Sequence, residues 1–173
     1  MKDSVFLSYP KPYLEKQKQF IEKVVSYLEN RGLQPRTLGV TDYDMDAPLT
    51  AIRRLLLESN GLIAIAFRRS LIVKGTGKPD SDIGENAYDL TNQWLTSPYC
   101  QIEPAMAFQL GLPVLIIREK GVVEEGILEK GVLESNGLIA IAFRRSLIVK
   151  GTGKPDSDIG ENAYDLTNQW LTS

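Results

Sequence analysis

Along residues 4–117, short unbroken apolar runs alternate with longer stretches in which apolar positions recur every three or four residues. The first run, Ser4-Val5-Phe6-Leu7-Ser8-Tyr9, ends in hydroxyl side chains and Pro10, and predicts a strand. Over residues 13–30 the spacing of Leu14, Phe20, Ile21, Val24, Val25 and Leu28 predicts a helix with Lys and Glu on its outer face, stopped by Gly32. Residues 34–40 predict a weaker strand at or near a sheet edge, and 41–46 an acidic loop. Asp46 is then expected to cap a helix with Pro48 in its first turn and Leu49, Ile52, Leu55 and Leu56 facing inward. Leu62-Ile63-Ala64-Ile65-Ala66-Phe67 is the most apolar run and predicts the central strand, with Arg68 and Arg69 at its carboxyl end. Residues 74–86 read as a long Gly- and Asp-rich loop, and 87–95 as a short helix.

The chain is organised around residues 94–117. Ser97 is placed to cap a helix and Pro98 to fill its first position, where a missing N–H costs nothing. Ile102, Ala105, Met106 and Leu110 mark its apolar stripe, Gly111 and Pro113 end it, and residues 114–117 predict a buried strand. Pro104 removes a backbone donor and is expected to kink or restart the helix next to Glu103.

This alternation calls for an α/β architecture: a parallel sheet with helices on both faces, joined by right-handed crossovers. In such sheets ligands sit beyond the carboxyl ends of the strands, at the switch in strand order. Connectivity brings Ser8-Tyr9-Pro10, loop 41–46 with Asp44, Arg68-Arg69, and the segment carrying Trp94, Tyr99 and Glu103 to that rim.

Composition narrows the chemistry. A net charge of −2 gives no general attraction to nucleic acid or to an anionic membrane. No apolar run approaches a membrane span, and the lone Cys100 excludes an internal disulfide, so a cytoplasmic location is expected. The chain has no histidine, which removes Ser–His and Cys–His pairs, imidazole catalysis and most zinc sites. Gly75-Thr76-Gly77-Lys78 lacks the spacing of a phosphate loop, and Asp42 with Asp44 makes a poor metal site without further ligands. Neither a metal nor a cofactor is expected.

Residues 57–97 recur without one change as residues 133–173. The copies cut across secondary-structure units, so this is no solenoid, and natural repeats diverge. Identity this complete points to an artefact in the sequence or to a very recent duplication. The expected division is a domain over 1–132 followed by the copy, 133–173. The first copy, with its short connections, should hold the centre of the sheet; the second should add its strand 138–143 at the edge, in place of a missing fifth strand, or pair with another molecule. Its stretch 150–162 is expected to be mobile.

The arrangement resembles the TIR domain, a flavodoxin-like fold, and the related nucleoside 2-deoxyribosyltransferases. The resemblance covers residues 4 to about 120 and rests on three segments. Val5-Phe6-Leu7-Ser8-Tyr9 is similar to the TIR opening box, and the loop from Thr41 to Pro48 occupies the place of the BB loop. Ser97-Pro98-Tyr99-Cys100-Gln101-Ile102-Glu103 is similar to the Ser-x-Trp-Cys-x-x-Glu box whose Glu is catalytic in TIR enzymes, with Tyr99 in place of Trp. Glu103-Pro104-Ala105-Met106-Ala107-Phe108 also resembles the deoxyribosyltransferase stretch with the nucleophilic Glu. The resemblance implies Glu103 as the catalytic group. Ser8, Tyr9, Asp44, Arg68, Trp94 and Tyr99 are then the candidates to bind substrate.

Cleaving an N-glycosidic bond passes through an oxocarbenium-like sugar that one carboxylate can stabilise or capture. From NAD the nicotinamide leaves neutral and needs no acid; a neutral nucleoside base needs a proton, for which Asp82 or Glu85 are candidates. Three function classes follow. The first is a TIR-type NAD glycohydrolase or cyclase, in bacterial defence or signalling, with NAD as substrate and no cofactor. The second is a nucleoside deoxyribosyltransferase or nucleosidase. The third is a non-catalytic TIR interaction module. TIR resemblance further implies self-association, and neither nucleic acid nor membrane is expected as a partner.

Overall fold

The computed structural model describes residues 3–42, 47–129, 137–142 and 147–151, the last two stretches through their backbone pairing. In chain order the elements are β1 (Ser4–Ser8), α1 (Glu15–Asn30), β2 (Gln34–Arg36), α2 (Pro48–Leu57) and β3 (Leu62–Ala66). Four short strands follow: β4 (Ser70–Ile72), β5 (Thr76–Gly77), β6 (Tyr88–Asp89) and β7 (Gln93–Leu95). Then come α3 (Tyr99–Gln109), β8 (Val114–Glu119), a 3₁₀ turn (Gly126–Leu128), β9 (Gly137–Ala142) and β10 (Leu147–Gly151).

The main sheet has the order β2-β1-β3-β8-β9-β10, with every neighbouring pair parallel except β9 and β10. Its helices cover both faces. On one, Ile21, Val24 and Leu28 of α1 pack on Val5, Leu7, Ile63 and Ile65. On the other, Ile52, Leu55 and Leu56 of α2 and Cys100 and Ala107 of α3 pack on Phe6, Leu62, Ala64 and Ile116. This is the flavodoxin-like fold. The order reverses at β1, whose neighbours are β2 on one side and β3 on the other, so the crevice favoured for ligands opens beyond β1 and β3.

Residues 62–66 occupy the sheet interior and β2 its edge, as the hydrophobic pattern requires. The second copy's strand, β9, pairs with β8 in the fifth parallel position. Identical sequence takes different partners in the two copies: β4 pairs with β7, whereas β10 folds back on β9. Of the stretch 150–162, Lys150 and Gly151 belong to β10 and the rest lies outside the described residues.

Four local expectations are corrected. Residues 87–95 form no helix; β4 pairs with β7 and β5 with β6 in a nested antiparallel ribbon, and of the expected loop 74–86 only Thr76 and Gly77 are strand. In α2 the inward position goes to Ala51, while Leu49 is 52% exposed. The residue at the cap of α2 is Ala47, without a side-chain bond, and Asp46 lies outside the described residues.

The fourth correction positions the site. Helix α3 runs through Pro104 without restarting, and the Cys100 carbonyl simply lacks the bond that a residue with an N–H would have given it. Its buried face is Cys100, Glu103, Pro104 and Ala107, one position away from the expected stripe. Ile102 and Leu110 are exposed instead. The helix carries apolar residues all round, so periodicity alone could not choose its inner face.

Candidate active site

Beyond the carboxyl end of β1 lies a cavity of about 430 Å³, within the range of small-molecule sites. Ser8, Tyr9, Tyr99 and Glu103 line it together with Lys11, Thr37, Arg69 and Ser97. The start of α3 is fixed by Ser97, whose Oγ accepts from the Tyr99 N–H at 3.3 Å and whose carbonyl accepts from Cys100 N–H at 3.0 Å. One turn on, the helix delivers Glu103 to the cavity floor.

Glu103 is 7% exposed. Burial pushes its pKa up to about 7, and the nearby Ser8 hydroxyl opposes that shift. Ser8 Oγ is itself buried and forms no hydrogen bond of normal geometry. The other buried hydroxyls of the cavity are engaged: Thr37 Oγ1 donates to the Leu7 carbonyl at 3.0 Å, and Ser97 Oγ accepts from the Tyr99 N–H. Cys100, one turn before Glu103, faces the interior with its thiol pushed up to about 11 by burial, which leaves no nucleophilic thiolate at neutral pH.

The two arginines after β3 part company. Arg68 Nε donates to the Lys120 carbonyl at 2.6 Å, its backbone N–H donates to Glu119 Oε2 at 2.9 Å, and its guanidinium lies over the Trp94 ring at 5.5 Å. Gly121, with φ of 90°, leaves the room: a Cβ there would meet the Arg68 guanidinium at 2.8 Å. Buried Gln17 ties the same corner together, donating to the Arg68 carbonyl at 3.3 Å and to Glu119 at 3.2 Å. Arg69 instead turns to the cavity, and neither it nor Lys11 has a carboxylate partner among the described residues.

Of the residues expected at the rim, Ser8, Tyr9, Pro10, Arg69, Tyr99 and Glu103 are therefore brought together. Arg68 and Trp94 meet each other outside this cavity, with Trp94 bridged to Val122. Asp44 lies outside the described residues. Asp42 is held by Arg36 at 2.7 Å, whose hydrogen bond keeps its carboxyl below the usual range. Asp82 and Glu85 stand on the exposed ribbon, Glu85 paired with Lys78. Lys11 and Thr37 were not among the residues expected there, and Ser97 was expected only as the start of the helix; Lys11, directly after the Ser8-Tyr9-Pro10 turn, carried a signal that could have been used. No three potential metal ligands cluster among the described residues.

No family model matches the chain. No curated protein matches it either. Among solved structures, a Clostridium botulinum CMP N-glycosidase, BcmB, superposes with a TM-score of 0.50 at 19% identity, over 81% of this chain and 88% of that one. The TIR domains of the activated Roq1 resistosome, which recognises the pathogen effector XopQ, give 0.44 at 12% identity, over 68% of this chain and 58% of that one. At such identities the likeness is one of fold. No described helix is long and apolar enough to cross a membrane.

Proposed function

We propose that the chain cleaves the N-glycosidic bond of NAD, as a glycohydrolase or cyclase, at the cavity floored by Glu103. The observation that carries this reading is that Glu103 is the one carboxylate among the described residues lining that cavity, and that it is buried. A poorly solvated carboxylate interacts strongly with a cationic sugar, because little water screens the pair. The bond between nicotinamide and C1′ breaks with its electrons going to the pyridinium, so nicotinamide leaves neutral and no acid is required. The ionised Glu103 stabilises or captures the C1′ cation, and water or a nitrogen of the substrate's own adenine completes the hydrolase or cyclase reaction. Entry of the pyridinium favours the charged carboxyl. Arg69 and Lys11 meet the pyrophosphate. The resemblance of residues 97–103 to the TIR box supports a setting in bacterial defence signalling, with self-association as its control.

The second reading is a nucleotide or nucleoside N-glycosidase. It is favoured by the raised pKa of Glu103, which leaves a protonated fraction at neutral pH able to protonate a departing neutral base. The similarity to a CMP N-glycosidase belongs to this reading as well.

Incubation of the wild type and Glu103→Gln with NAD, CMP and deoxynucleosides separately, followed by product analysis, decides between them. Nicotinamide release that is lost in the variant is expected. Cleavage of CMP or nucleosides alone would move the assignment to the second reading. A folded protein that turns over none of them would leave a non-catalytic interaction module.

A further inference from the structure

We propose that Ser8 recognises the 2′-hydroxyl of the sugar, so that the site selects ribosyl over 2′-deoxyribosyl substrates; this rests on the N-glycosidase reading of the Glu103 cavity. Strand alternation sends Leu7 toward α1 and Phe6 and Ser8 toward the face that α3 covers. Ser8 is therefore aimed at the helix turn that holds Glu103, and it is 3% exposed.

Packing does not explain the hydroxyl. In the neighbouring strand Ser8 pairs with Ala64, and both Ala64 and Ala66 on the same face are wholly buried. Alanine thus fills this layer, whereas serine adds a buried hydroxyl that lies near enough to the Glu103 carboxyl to favour its ionised form and makes no hydrogen bond of normal geometry. Thr37 and Ser97, the other buried hydroxyls of the cavity, are already engaged. A carboxylate in reactive contact with C1′ stands about 3–3.5 Å from it, and C2′ is the next ring carbon. A hydroxyl beside that carboxylate faces the C2′ substituent. A site that depends on such a hydrogen bond rejects the analogue lacking the group, because its own polar atom is then left unpaired.

The test uses equilibrium binding, so that turnover is not needed. Glu103→Gln protein is titrated with NAD and with NAD lacking the 2′-hydroxyl on the nicotinamide-bearing ribose, with and without Ser8→Ala. NAD should bind about tenfold more tightly than the analogue, the scale of one hydrogen bond, and Ser8→Ala should remove the difference. Ser8→Cys, similar in size but a weak donor, should do the same and guards against a packing defect; melting curves confirm that each variant is folded. Equal affinity for the two ligands, or a difference that survives both substitutions, overturns the assignment of Ser8 while leaving NAD cleavage by the wild type standing. If folded protein binds neither ligand, the ribosyl site itself fails and this assignment with it.

Discussion

Ser8, the last residue of β1, and Glu103, in the second turn of α3, meet at the floor of one cavity, both almost withdrawn from solvent. The strand end supplies a hydroxyl that favours the ionised carboxyl, and the helix a carboxyl whose charge is disfavoured by burial. The behaviour of the site with pH follows from this juxtaposition.

With the ionised carboxyl as the working form, kcat/KM for NAD should rise with pH and level off above about 7, the pKa of Glu103 in the free protein. Glu103→Gln should lower turnover by about 10²-fold or more at pH 8 and flatten the profile. Initial rates between pH 5.5 and 9 check this. A rate that falls as pH rises through 7 would mark the protonated carboxyl as the active form, as the second reading requires.

The same shift bears on stability. Burial raises the pKa of Glu103 from 4.5 to about 7, so the folded chain holds this proton more tightly than the unfolded one. The stability linked to the proton is fully present below 4.5 and is lost as pH rises through 7. At pH 8 the ionised group should cost on the order of 3 kcal/mol relative to acid. Glu103→Gln cannot ionise, so it should be more stable than the parent at pH 8, with the gap closing toward pH 5. Urea titrations at the two pH values measure it; a gap that does not change would show that burial does not govern this carboxyl.

The central place of β3, the edge place of β2 and the place of Glu103 on a helix were legible because the apolar runs of β1, β3 and β8 are unbroken and their connections are short. The inner face of α3 was not. Cys100, Glu103, Pro104 and Ala107 share the i, i+3, i+4, i+7 spacing, but the more apolar Ile102, Ala105 and Met106 fit i, i+3, i+4 as well, and only the sheet beneath decides. The ribbon of β4 to β7 was missed because its pairings are two or three residues long, and long-range contacts with Gly121 and Val123 hold Trp94 in it. Two adjacent arginines at a strand end must point apart, and nothing in their order says which one reaches the cavity.

Arg69→Ala should raise the KM for NAD severalfold with little change in kcat, because it removes a cation that would meet the pyrophosphate. Arg68→Ala should leave KM unchanged and lower stability by about 1 kcal/mol, through loss of the Lys120 carbonyl bond and the contact with Trp94. The ionic-strength dependence of KM should weaken in the first variant alone. Equal KM values for both variants would remove the pyrophosphate from this rim.

Trp94 and Tyr99 give the last contrast. Trp94 packs partly buried against the core beneath α2 and α3, and its backbone bonds to Gly121 and Val123 tie the ribbon to the end of β8. A fully buried aromatic cut to Ala loses about 3–5 kcal/mol, so half-buried Trp94→Ala should lose about 2–3 kcal/mol. Its KM for NAD should be unchanged, since the ring faces Arg68 and not the Glu103 cavity. Tyr99 is 43% exposed and lines that cavity. Tyr99→Ala should therefore raise KM while the melting temperature stays close to that of the parent, the reverse of the Trp94 result. Thermal melts and steady-state kinetics on the two variants measure both quantities. A Trp94 variant with a raised KM and an unchanged melting temperature would mean that the indole leaves Arg68 to stack on the substrate, and the packing role would then be wrong.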